Sequence, residues 1–182
     1  NHPRVVRFLG VCATPGKPLC LVTEYMPGGS VDTLLRSKQK ISLAMRMNWA
    51  LDGACGVFHL HAERIIHRDI AARNLLVDSH LRVKVSDFGL SRVRNVHNSK
   101  SVETTESNVG PVCWMSPEAI VRQHYSERSD AYSFGVTVWE ILTRKRPYLG
   151  LTNLQVAIRA ANLLKSSAPR VVVPPHEEKK GV

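Results

Sequence analysis

The sequence predicts an α+β fold in which a short β hairpin leads into a mostly helical body. Three observations carry that prediction. Two apolar runs at 5–11 and 19–25 flank the turn-forming stretch Ala13, Thr14, Pro15, Gly16, Lys17 and Pro18, the pattern of a hairpin. Residues 43–61 and 129–142 are longer segments whose apolar positions fit helices rather than strands. Between them, 75–77 and 81–85 are short apolar runs around Asp78, Ser79 and His80, a second hairpin set among the helices.

Size and charge bound what such a fold can be. The 182 residues, 43 % hydrophobic and 22 % charged, are one domain's worth of chain, long enough for a core. The chain opens on Asn1 and is expected to be a piece of something longer. No run approaches the ~18 apolar residues of a membrane span, and nothing resembles a signal peptide. Cys12, Cys20, Cys55 and Cys113 show neither CxxC spacing nor a paired histidine pattern. They read as reduced thiols of a cytoplasmic or nuclear protein, not as a zinc site. The formal net charge is +10, and six Lys or Arg residues with no acid lie between Ile141 and His176. A basic face suits nucleic acid or anionic lipid, yet no aromatic side chains interleave with these bases. The charge therefore reads as a solvated surface plus a site built for phosphate, with no nucleic acid partner.

Taken in order, 5–11 reads as a buried strand and 19–25 as its hairpin partner. Met26, Pro27, Gly28, Gly29 and Ser30 end strand structure. A short helix is expected over 31–36 and a longer one over 43–61, with Ser42 as its N-cap. Met47, Leu51, Ala54 and Phe58 recur at helical spacing and are expected to form its core-facing stripe. The stretch 90–115 is polar, with Ser and Thr clustered over 99–107. Residues 129–142 are apolar nearly all round, as in a helix buried in a core. A loop over 144–152 holds Pro147 and Gly150, a helix follows over 153–164, and 166–182 reads as a disordered tail.

Chemistry concentrates in Ile65-Ile66-His67-Arg68-Asp69-Ile70-Ala71-Ala72-Arg73-Asn74-Leu75-Leu76-Val77 and in Val85-Ser86-Asp87-Phe88-Gly89. These read as H-R-D-x-x-x-x-N and D-F-G. On them the chain resembles a eukaryotic protein kinase domain of the tyrosine-kinase or tyrosine-kinase-like group, from the strand after helix C to about helix G. The residue types suit that chemistry. A hydroxyl about to be phosphorylated needs one carboxylate beside it, and Asp69 is the candidate. The group in transfer carries negative charge, and Arg73, four residues on, supplies a cation. Magnesium asks for hard oxygen ligands from two directions; Asn74 offers a carboxamide oxygen and Asp87 a carboxylate. A lone Asp in a turn is ordinarily an Asx-type cap, but two acids, an asparagine and framing strands at this spacing outweigh that reading.

The resemblance implies further assignments. Residues 1–27 would be a remnant of the N-lobe and hinge and 28–165 the C-lobe, with catalytic loop 67–74 and activation segment 87–118. ATP would bind with Thr23 as gatekeeper, its adenine meeting the backbones of Glu24 and Met26, Leu76 beneath the ring, and Asp87 and Asn74 holding Mg2+. His67 would be structural, packed against Phe88 and the backbone. Arg68 would receive a phosphate placed on the activation segment, where Thr104, Thr105 and Ser107 are the candidate phosphosites. Asp130 would tie down the catalytic-loop backbone. The partners implied are ATP and a protein substrate, in the cytoplasm, with membrane attachment of a longer parent chain left open.

Substrate class turns on a few positions. Serine/threonine kinases usually carry Lys where Ala71 stands and Thr where Pro111 stands; Arg73, Pro111, Val112, Trp114 and Met115 all look tyrosine-kinase-like. Against this stand Cys113, Ser116 and the absence of Tyr from the activation segment. Tyrosine is thus the favoured acceptor. The alternatives are a serine/threonine kinase of the tyrosine-kinase-like group, or an inactive pseudokinase or truncated fragment acting only by binding, which an intact Asp69, Asn74 and Asp87 disfavour. The family's Gly-rich loop, its strand Lys and the helix C Glu would lie before Asn1. Helices H and I, and the Arg partner of Glu118, would lie after Val182. The isolated chain is accordingly expected to be inactive and marginally stable, with Glu118 a buried charge lacking compensation.

Overall fold

The computed structural model describes residues 1–14, 16, 18–87, 92–93 and 112–165, with 92, 93 and 165 as backbone only. In chain order it has β1 (Phe8–Cys12), β2 (Cys20–Thr23), α1 (Val31–Arg36), α2 (Leu43–Ala62) and β3 (Ile65–Ile66). A 3-10 turn (Ala72–Asn74) then precedes β4 (Leu75–Val77), β5 (Val83–Val85), β6 (Arg92–Val93), α3 (Pro117–Arg122), α4 (Glu127–Thr143) and α5 (Asn153–Lys165). The strands form three antiparallel pairs, β1–β2, β3–β6 and β4–β5. The first and last of these are the two expected hairpins. Neither β3–β6 nor α3 is legible in the sequence pattern, because a two-residue strand and a six-residue helix are too short to show a period. No described helix is long and apolar enough to cross a membrane.

The helices begin where capping chemistry places them. Ser42 accepts from the Met45 amide at the start of α2. Ser126 and Ser129 exchange hydrogen bonds at the start of α4, a reciprocal cap just upstream of the expected apolar run. Each such cap satisfies amide donors that the first turn leaves unpaired. The ends of α1 and α4 are joined by one side chain: Arg144, just past α4, donates to the carbonyls of Leu35, Ser37 and Gln39 at 3.0, 2.7 and 3.1 Å.

The main core gathers Val31, Leu35, Trp49, Val57, Leu60, Ile70, Leu75, Val77, Val83, Val85 and Ile141 between α1, α2, the β4–β5 pair and α4. On α2 the expected stripe is wrong. Met47, Leu51 and Phe58 are exposed, Phe58 at 75 %, and Ala54 is only partly buried. The packed face carries Trp49, Asp52, Gly53, Gly56, Val57 and Leu60 instead, two residues out of phase and so ~200° round the helix. The reason is distance. A Cβ on Gly56 would stand 2.4 Å from the Arg4 carbonyl oxygen and 2.6 Å from Val85 Cγ2. The face that meets the sheet is therefore marked by small residues, which an apolar count overlooks.

Asp52 on that face is 2 % exposed. It accepts from Arg82 at 2.9 and 2.6 Å and from the Val83 amide at 3.0 Å, and pairs with Arg4 at 2.9 Å. Burial would raise its carboxyl, but Arg82, the Val83 amide and the charge of Arg4 outweigh that and hold it below the usual carboxylate range.

Two further expectations are corrected. The first strand is not buried, since Phe8, Leu9 and Val11 are each more than half exposed, as are Leu19 and Leu21 opposite. Apolar sequence made the strand but no described element covers it. The buried residues of α4 include Ser129, Asp130, Ser133, Thr137 and Glu140, so this helix presents a polar seam to the core. Its hydroxyls avoid a penalty by bonding within the helix: Ser133 and Thr137 donate to the carbonyls four residues back, at 3.1 and 2.8 Å.

Candidate active site

The loop 67–74 is hung from α4. Asp130, 1 % exposed in the first turn of that helix, accepts from the His67 amide at 2.8 Å and the Arg68 amide at 2.9 Å. His61, at the end of α2, reaches the same carboxylate at 3.0 Å. Arg68 sits at φ 71°, a left-handed conformation that a residue with a Cβ holds only when its surroundings enforce it. The Asp130 bond is such an enforcement. His67 is fully buried; its Nε2 lies 2.9 Å from the Ser86 carbonyl and its Nδ1 accepts from the Asp69 amide at 3.2 Å. Nε2 must then carry the proton. The ring spans the two loops, which is a structural role.

The candidate catalytic residues meet directly. Asn74 Nδ2 donates to the Asp69 carbonyl at 2.7 Å and to its Oδ2 at 2.8 Å, while Arg73 pairs with Oδ1. Both carboxylate oxygens are thus oriented by neighbours within five residues, because the 3-10 turn brings 73 and 74 back over 69. The Asn74 carbonyl in turn accepts the amide and hydroxyl of Ser86, both at 2.9 Å. With Leu75 opposite Val85 in the ladder, this puts Asn74 and Asp87 at the same end of β4–β5. Asp87 is exposed and left-handed, at φ 62°.

This donor set fits a hard divalent cation. With Nδ2 committed to Asp69, Asn74 has its Oδ1 left to offer, and Asp87 offers a carboxylate. Among the described residues no group of three His, Cys, Asp or Glu side chains is set to hold a metal. A cation here would need oxygens from a phosphate ligand to complete its shell, the habit of magnesium.

Beyond these residues lies a junction that motif reading does not reach. The Arg73 guanidinium stands over the Trp114 ring, 5.3 Å from its centroid. Trp114 Nε1 donates to Glu140 Oε2 at 2.9 Å, and the Ala72 amide reaches the same oxygen at 3.3 Å. Glu140 is 3 % exposed. Burial pushes its carboxyl up to about 7, the bonds from Trp114 and Ala72 opposing that shift without cancelling it. One signal for Glu140 is present in the sequence, an acid in an otherwise apolar helix. Its partners, 26 and 68 residues away, are not.

The residues expected around adenine divide into two sets. Met26 is buried, and the stretch after it lies along β4: Gly28 N donates to Val77 O and Val77 N to Gly29 O, both at 2.9 Å, while Ser30 bridges Leu76. Met26 and Leu76 are thereby brought into one neighbourhood. Thr23 ends β2 and is exposed. Glu24 has its side chain engaged, by Lys84 at 2.8 Å and the Arg7 amide at 2.6 Å. Burial works against ionisation of Glu24, but Lys84 and Arg7 prevail and keep its carboxyl below the usual range.

Arg68 turns its guanidinium over the Tyr125 ring, 5.0 Å from the centroid. Glu118, the second residue of α3, is half-buried rather than buried. Phe88, Gly89, Pro111 and the candidate phosphosites Thr104, Thr105 and Ser107 lie outside the described residues.

An acid oriented by an amide and a guanidinium, with a second acid at the adjoining strand end, is the arrangement that the motif spacing predicts. The chain belongs to the protein tyrosine and serine/threonine kinase family, whose model matches residues 1–175. It is 42 % identical over 159 residues to a probable serine/threonine-protein kinase of Dictyostelium discoideum, covering 87 % of this chain and 17 % of that protein. To the serine/threonine-protein kinase STY46 of Arabidopsis thaliana it is 43 % identical over 159 residues, 87 % of this chain and 27 % of the relative. To the dual specificity protein kinase shkC of Dictyostelium discoideum it is 39 % identical over 173 residues, 93 % of this chain and 33 % of the relative. The chain therefore spans a third or less of the length of these relatives.

Proposed function

We propose that this chain is the catalytic part of an ATP-dependent protein kinase that moves the γ-phosphate of ATP to a protein hydroxyl. The observation that carries the reading is the Asp69 carboxylate held by Asn74 and Arg73 beside the strand end that bears Asp87. In this reading Asp69 orients the acceptor hydroxyl and takes its proton, and Arg73 steadies the charge on the group in transfer. Asn74 Oδ1 and Asp87 hold Mg2+, which when bound neutralises the phosphates. The backbones of Glu24 and Met26 meet adenine, Thr23 guards the depth of the cleft and Leu76 lies beneath the ring. Arg68 takes a phosphate from the segment 87–118, with Thr104, Thr105 and Ser107 as its acceptors. The setting is cytoplasmic, and nothing in the chemistry calls for nucleic acid.

On the acceptor, the names of the relatives favour serine or threonine, one of them with dual specificity. Serine or threonine is the first reading on that ground. Tyrosine is the second, favoured by Ala71 and Pro111 where the serine/threonine pattern has Lys and Thr.

The test is transfer of labelled γ-phosphate from ATP with Mg2+ to a mixed peptide pool, followed by phosphoamino-acid analysis. The protein is this chain together with whatever flanking sequence its gene encodes. Asp69→Asn is expected to lower the rate at least ~100-fold. Label on tyrosine alone would replace the first acceptor by the second, and a rate indifferent to Asp69→Asn would overturn the kinase reading.

A further inference from the structure

The β1–β2 ladder ends on a pair of cysteines. Cys12 and Cys20 are direct register partners, both exposed and both free thiols. Residues directly opposite in an antiparallel pair put their side chains on the same face. Their α-carbons stand about 4.5 or 5.5 Å apart, depending on the hydrogen-bonding type of the pair. Either spacing lies inside the ~4.4–6.8 Å that a disulfide spans. Both sulfurs also lean toward the same connecting loop. Cys12 Sγ is 3.9 Å from Thr14 Oγ1, and Cys20 Sγ is 3.6 Å from the Pro18 carbonyl. The other two thiols differ. Cys55 lies exposed on α2, where no strand register sets a second cysteine opposite it, and Cys113 is buried.

We propose that Cys12 and Cys20 form a modification site, a cross-strand dithiol that a small disulfide of the glutathione class oxidises to an intramolecular disulfide. The thiolate of one cysteine attacks a sulfur of oxidised glutathione; the S–S bond of glutathione breaks and one glutathione leaves as its thiolate, taking up a proton. The second cysteine thiolate then attacks the protein-side sulfur of the mixed disulfide and expels the other glutathione. Two protein thiols lose two electrons and two protons, and one glutathione disulfide gains them. The product closes a ring over the loop end of the hairpin, whose other end runs into Glu24 and Met26. This inference does not depend on phosphotransfer.

The experiment uses the whole 182-residue chain carrying Cys55→Ser, equilibrated in buffers of graded reduced-to-oxidised glutathione ratio, then alkylated and weighed intact. The expected product lacks the two alkyl groups that the dithiol form takes up at these positions, carries no glutathione, and has Cys12 linked to Cys20 by fragment mapping. Cys12→Ser and Cys20→Ser should each stop at a single glutathione adduct on the remaining hairpin thiol. The same titration in denaturing urea separates register from mere nearness in sequence. The closing equilibrium should favour the disulfide at least about tenfold more in native buffer. Equal equilibria in the two solvents, stable double glutathione adducts with no Cys12–Cys20 link, or linkage between chains would each overturn the proposal.

Discussion

The loop 67–74 and the β1–β2 hairpin are made of equally ordinary residues, but they are held in opposite ways. The loop is short, polar and strained at Arg68, and it is fixed by side chains far away in sequence: Asp130 at its start, Glu140 under its 3-10 turn, Ser86 across from Asn74. The hairpin is apolar, with a register shift between Phe8 and Gly10, and its side chains lie open, with Leu21 at 67 % and Tyr25 at 86 % exposure. Where chemistry must be aimed, the chain uses buried hydrogen bonds from a helix rather than apolar contacts. A carboxylate accepts in fixed directions, so it can hold a backbone in a conformation that packing alone would let relax.

That contrast can be broken at its strongest point. Asp130→Ala would strip acceptors from two loop amides and from His61, leaving buried donors unpaired. The expected loss is about 3–5 kcal/mol in urea unfolding. A loss below ~1 kcal/mol would mean that the loop holds itself. Next in size is Gly56→Ala, whose new methyl would collide with the Arg4 carbonyl and Val85, for about 2–3 kcal/mol. Gly10→Ala on the hairpin meets nothing within 4 Å and should stay within ~0.5 kcal/mol in the same assay.

Glu140 sharpens the comparison through pH. Folded, its carboxyl keeps its proton to about 7, against ~4.3 in an unfolded chain. A raised folded value means that stability from this group is whole below the unfolded value and is lost as pH climbs through about 7. Glu140→Gln retains an acceptor for Trp114 and Ala72 and removes that loss. The variant should gain about 2 kcal/mol on the parent between pH ~5 and pH ~8, read from denaturant midpoints at the two pH values. A constant difference across that range would contradict the assigned burial. An equally small effect is expected at Leu21→Ser, within ~0.5 kcal/mol, because the side chain already lies in water.

Much of the site is legible in the chain's own residue order. Asp69, Arg73, Asn74 and Asp87 stand out by residue type and spacing, and the first three do meet. What the sequence hides are the groups that act from a distance. Trp114 reads only as a clue to acceptor class, and Asp52 and Glu140 look like stray acids in apolar helices. The misread α2 stripe has the same origin. Helical period marks which residues share a face, but Gly53 and Gly56, not Met47 and Phe58, mark the face that can come close to the sheet.

By itself, then, the sequence determined what depends on neighbours along the chain. The two hairpins, the extents of α1, α2 and α5 within a residue or so, the Ser42 cap and the order of the reactive side chains are all set by local propensities and short-range bonds. Only the tertiary structure decided which face of α2 is inside and that Asp130 and Glu140 grip the loop from α4. Those outcomes depend on how closely distant segments approach and on where a buried donor finds its acceptor. Distance in space is not written in any local pattern.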